Sequence, residues 1–153
     1  MRGSAWAFAC AVVVGPGVSA SQGLDPSPDP WLVPPEASAR ENPLQASEAA
    51  IADARRLWAR HCHTCHGDEG RGDGPSARLH AERHGQKPRD LTDPAVQENL
   101  TDGDIFWRVT HGIIEGDNII MPAYGDKLPA DEHRWKLVLM VREVGRAARE
   151  RGN

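Results

Sequence analysis

Cys62-His63-Thr64-Cys65-His66 is the stretch on which the reading of this chain turns. Two thiols separated by two residues can each add to one vinyl group of a haem, giving two thioether bonds. The histidine directly after the second cysteine is then placed to put its imidazole on the iron. In such a site His66 is neutral and bonds iron through one ring nitrogen. The other nitrogen donates to a backbone carbonyl, which fixes the ring and tunes its basicity. Pro88 and Pro75 are the two candidates for supplying that carbonyl.

Upstream of the motif the chain opens as an address. Arg2 precedes an apolar run from Ala5 to Val14, Gly15-Pro16-Gly17 breaks any helix, and Val18-Ser19-Ala20 offers small residues for cleavage after Ala20. The run falls well short of the roughly 20 residues a membrane span needs. Residues 1–20 are therefore expected to be a signal peptide and the protein periplasmic, with no span left after cleavage. Cys10, inside the apolar run with no leucine before it, makes a poor lipid-attachment site. Cleavage leaves Cys62 and Cys65 as the sole cysteines, so no long-range disulfide framework is available. A zinc site would need a second ligand pair, and His61 and His63 flank Cys62 in the same turn. A thioredoxin-type disulfide needs a strand before the motif, which is absent. One covalent haem c is the expectation.

Residues 21–45 carry prolines at 26, 28, 30, 34, 35 and 43 and read as an extended, flexible segment with no helix. Its one aromatic, Trp31, is expected to be exposed, and Ser21 to Arg40 to be dispensable for the fold. The folded unit is Ala46 to Val144, with residues 145–153 as a polar C-terminal tail. Four helices are expected in it. Ser47 caps the first, whose stripe of Ala50, Ala54, Leu57 and Trp58 runs into the motif. A second follows Pro75 and stops at Gly85. Thr101 with Asp104 forms a capping box for the third, which ends at Gly112. The last starts near Pro129 or Ala130. Ile113-Ile114 and Ile119-Ile120 are read as isolated pairs rather than strands. The expectation is an all-α domain with long loops.

The composition agrees with a cofactor at its centre. Of 153 residues 39% are apolar, 26% charged and 5% aromatic, with 15 Gly, 12 Pro and a formal charge of −4. That balance excludes a generically basic nucleic-acid binder and leaves a thin core, which a large flat porphyrin would fill. Arg78 to Asp90 carries a slight basic excess, read as a solvated face.

The second axial ligand must come from Met121 or Met140, or from His80, His84, His111 or His133. Met121 is favoured because Pro122 fixes the backbone just after it, in a segment read as a loop. Met140 sits in an apolar helical run and reads as core. His111 reads as a capping residue on a helix dipole. An open site is the remaining alternative.

With these residues in view, the chain resembles the class I c-type cytochromes from Asn42 to Val144. The likeness rests on the CxxCH motif with Gly67, on Gly70-Arg71-Gly72-Asp73-Gly74-Pro75, on Thr101-Asp102-Gly103-Asp104-Ile105-Phe106-Trp107 and on Met121-Pro122-Ala123-Tyr124-Gly125. The resemblance implies a first and a last helix crossing beside the haem. It implies Cys62 and Cys65 as attachments, His66 as proximal ligand and Met121 as distal ligand. It departs at Ala54, where the family often has glycine, and at Met140, where an aromatic is common. The implied function is one-electron transfer to and from redox partner proteins, as a free carrier or as a subunit of a membrane or dehydrogenase complex, and not enzyme catalysis. The alternative is a haem enzyme or gas-binding protein with an open or displaceable distal site. Open-site bundle cytochromes carry CxxCH near the C-terminus, whereas most of this chain follows His66.

Overall fold

Helix α2 (Glu48–His61) begins where Ser47 Oγ accepts from the Ala50 amide at 3.2 Å, as an N-cap should. Its buried face is Ala54 and Trp58, one turn apart. That face meets α7 (Asp131–Gly152), which buries Trp135, Leu137, Val138, Met140, Val141 and Val144. Ala54, a small side chain on the face that meets α7, is wholly inaccessible. Lys136 on α7 spans the crossing to Asp53 at 3.1 Å and pairs with Glu132 at 2.7 Å.

The computed structural model describes residues 29–152. The leader with its cleavage point and Cys10 lies outside them. Helix α6 (Asp102–His111) carries the full capping box of Thr101 and Asp104, buries Ile105, Phe106 and Val109 against α7, and ends at Gly112 (φ 72°). Helix α4 (Ala77–His84) stops at Gly85, in the left-handed region that favours glycine. Within the expected folded unit two further short helices appear: α3 (His63–His66), the motif itself, and α5 (Pro94–Asn99), where Asp93 accepts from the Ala95 amide at 2.8 Å.

Three expectations are corrected. The isoleucine pairs do form strands: β1 (Ile113–Glu115) pairs antiparallel with β2 (Asn118–Met121). Glu115 faces Asn118 across a two-residue loop whose first member, Gly116, has φ 58°, as a type II′ hairpin requires. Met121 therefore ends a strand instead of lying in a loop.

The proline-rich stretch is also structured over its described part. Pro35 opens a single-turn helix, α1 (Pro35–Ser38), whose Ala37 is only 4% exposed. Thr101 Oγ1 donates to the Ser38 carbonyl at 2.6 Å, and Arg108 donates to that of Trp31 at 3.1 Å. The Arg40 guanidinium sits over the Phe106 ring at 4.4 Å and the Trp135 ring at 5.1 Å. Proline forbids a long helix, but at the first helical position it promotes a short one. Trp31 itself is exposed, as expected. Finally, residues 145–152, expected as a polar tail beyond the folded unit, continue α7, and Gly145 packs against Gln97.

Candidate haem site

The motif sits on a helical turn. Cys62 closes α2, its amide bonded to the Trp58 carbonyl at 2.8 Å, and opens α3. The Cys65 and His66 amides both return to the Cys62 carbonyl, at 3.2 and 2.9 Å. Residues at i, i+3 and i+4 share a helix face, so both thiols and the imidazole are presented on one side. Trp58 Nε1 donates to the Gly67 carbonyl at 2.9 Å and holds the end of the turn to the core.

The following loop is strapped to this turn. The amides of Gly72, Gly74 and Ser76 reach the carbonyls of His66, Cys65 and Thr64 at 2.9, 3.1 and 2.8 Å. At Gly72 a Cβ would collide with the Pro88 carbonyl oxygen, and φ is 71°. This close approach sets the path of the next residue, and it is the Arg89 carbonyl that faces His66 Nδ1, at 3.2 Å. Neither Pro88 nor Pro75 supplies it. Since a carbonyl only accepts, Nδ1 carries the proton and Nε2 keeps its lone pair.

Met121 arrives on β2, in register with Ile113. Beyond it the Tyr124 and Gly125 amides bond to the Val109 and Thr110 carbonyls at the end of α6, both at 3.0 Å. The Tyr124 hydroxyl donates to the His61 carbonyl at 2.7 Å, one residue before Cys62. Cys62, Met121 and Tyr124, each partly buried, pack against the same core. Among the other candidate ligands, Met140 is buried in that core. His111 is exposed and rests on Trp107, ring centroids 3.9 Å apart. His80 and His84 are engaged with the hairpin, at Ile120 and Asn118. His133 is exposed on α7.

Residues 49–139 match the family model described as cytochrome c oxidase, cbb3-type, subunit III. The chain belongs to this family of c-type cytochromes. A solved structure of the Kuenenia stuttgartiensis reducing HAO-like protein complex Kustc0457/Kustc0458 is similar at 30% identity and a TM-score of 0.53, over 67% of this chain and 46% of that one. The chain thus spans less than half of that relative. A second, the KustC0563 c-type cytochrome, aligns at 28% identity and a TM-score of 0.49, over 60% of this chain and 96% of that one. No curated protein matches the chain.

A c-type cytochrome holds haem covalently and transfers electrons through it, and the donor set here fits that group. Burial, with a smaller push from Cys65, raises the Cys62 thiol to about 12, and burial raises Cys65 as well. Such thiols are protonated at neutral pH, the reverse of a low-pKa redox disulfide pair. Burial lowers the His66 imidazole, with the Arg89 carbonyl opposing, so the ring is neutral and able to ligate. Burial, then the nearby Cys62 and Cys65, raises the Tyr124 phenol to about 12, so its hydroxyl remains a donor. The CxxCH signal was evident from sequence, and Met121, the distal ligand expected there, lies at the end of β2. Arg89 and Tyr124 were not evident, because their roles depend on loop paths that no spacing rule reports.

Proposed function

We propose that this cytochrome is a one-electron carrier whose single haem is bound through Cys62 and Cys65 and ligated by His66 and Met121. Haem iron supplies a reversible one-electron couple, and thioether ligation favours its reduced form. The observation that carries the reading is the Tyr124–His61 bond, which fastens the Met121 segment to the helix end that bears the motif. His66 offers Nε2 while Arg89 holds Nδ1. Pro122 restricts Met121 to extended backbone, keeping its side chain in one place. Two protein ligands leave no position for a substrate, so the protein relays electrons and does not act as an enzyme.

The leader supports export to the periplasm, and no helix among the described residues is long and apolar enough to cross a membrane. Similarity to a member of a multi-protein complex supports redox partner proteins, met as a free carrier or inside an assembly. The basic side chains of α4 are spent partly on local pairs, Arg78 with Glu82 at 2.7 Å, which favours a solvated face there.

Ligation is tested by the weak far-red band of sulfur-to-iron charge transfer in the ferric protein. Met121→Ala should abolish it with haem still attached, and Met140→Ala should keep it. The opposite pattern would overturn the assignment.

A further inference from the structure

The ladder between β1 and β2 is irregular. Ile113 pairs with Met121 and Ile114 with Ile119, so Ile120 is the extra residue of a β-bulge. Bulges next to functional sites re-aim a side chain and leave one residue out of the pairing. Ile120 is 8% exposed, so its carbonyl has little access to water and needs a donor from elsewhere in the protein. His80 on α4 supplies it. His80 Nε2 lies 2.7 Å from the Ile120 oxygen, and Nδ1 lies 2.9 Å from that of Gln86. Gln86 is exposed, so its carbonyl can turn to solvent instead. An imidazole with one N–H can donate to only one of these two carbonyls, and the Ile120 bond is the one without a substitute, which places the proton on Nε2.

The oxygen that His80 holds belongs to the peptide unit that ends in the Met121 nitrogen. That plane is one of the two whose relative rotation about the Met121 N–Cα bond sets the Met121 backbone. On the other side Pro122 restricts the Met121 backbone, and Gly112 lies so close that a Cβ there would collide with the Met121 carbonyl oxygen. His84, one turn along α4, grips the same hairpin through Asn118, Nδ1 to Oδ1 2.5 Å. We infer that His80 is a positioning residue: through the Ile120 carbonyl it sets the bulge that presents Met121. This rests on Met121 being the distal ligand. If Met121 leaves, the hairpin can relax and the Ile120 carbonyl can reach water, so the His80 bond favours the ligated arrangement alone.

The test is cyanide binding to the ferric holoprotein, followed by loss of the far-red band, with melting temperature recorded beside it. His80→Ala should raise apparent cyanide affinity about tenfold, the change that loss of one buried hydrogen bond implies. His80→Gln, whose amide can donate to the same oxygen, should restore most of the wild-type affinity. Gln97→Ala serves as a control for stability alone. It removes bonds to the Leu91 and Val141 carbonyls, neither of them in the hairpin, and should lower the melting temperature without changing affinity. Wild-type cyanide affinity in His80→Ala, or an equal rise in Gln97→Ala, would overturn the inference. Failure of the ligand reading is separate: there Met121→Ala itself leaves the band in place.

Discussion

Cys62, Cys65 and His66 share one face of a turn, but the orientation of the imidazole is decided elsewhere in the chain. Gly72, with φ 71° and no room for a Cβ beside Pro88, lets two loop segments touch and brings the Arg89 carbonyl to Nδ1. Gly72→Ala should therefore act twice. The left-handed backbone alone costs about 1–2 kcal/mol, and the displaced loop withdraws the acceptor from His66. Thermal melting should show the first effect. A shifted reduction potential of the haem-bearing protein should show the second, because that hydrogen bond would tune His66 as the proposed ligand. An unchanged potential would mean that Arg89 does not set the ring. The sequence pointed to a proline carbonyl here and missed by one residue, since the motif specifies the ring but not the path of the loop around it.

At the scale of elements, capping signals were the dependable guide. Ser47, the Thr101–Asp104 box, Gly85 and Gly112 mark helix ends in the structure where the sequence placed them. Short elements escaped for definite reasons. The hairpin has only three and four residues per strand, too few for a period of two to show, although Gly116 was its turn signal. Asp93-Pro94 is a cap followed by proline at the first helical position, yet α5 is six residues long and has one buried side chain, Val96. Helix α1 is a single turn opened by Pro34-Pro35, and its stability comes from contact with α6. Gly103 is where the two meet: a Cβ would collide with the Ala37 carbonyl oxygen. Gly103→Ala should thus lower the melting temperature, against the gain of about 1 kcal/mol that alanine brings inside a helix. A more stable Gly103→Ala protein would show that residues 35–38 do not bear on the fold, as their composition first suggested.

Across the whole molecule, the α2–α7 crossing joins the helix that ends at the haem motif to the longest helix of the described residues. Its polar edge is Asp53, Lys136 and Glu132. The Lys136 ammonium holds both carboxyls below their usual range, and they hold it above its own. The carboxylates contribute stability above the unfolded value of about 4 and lose it as pH falls through their lower folded values. Lys136 contributes below its unfolded value and loses its share only as pH rises through the raised one. Lys136→Gln should flatten the acid limb of a plot of melting temperature against pH below about pH 4. An acid limb identical to wild type would remove these two pairs from the account.

The thin apolar composition, the family match over residues 49–139 and the shared face of the motif converge on a haem held by two thioethers. Acid–acetone extraction of the purified protein, followed by a reduced-minus-oxidised spectrum of the washed polypeptide, tests this most directly. The haem should stay with the chain and cycle between two oxidation states, and the Cys62→Ala, Cys65→Ala double variant should lose it completely. A colourless wild-type polypeptide, with all the haem in the acetone, would contradict it.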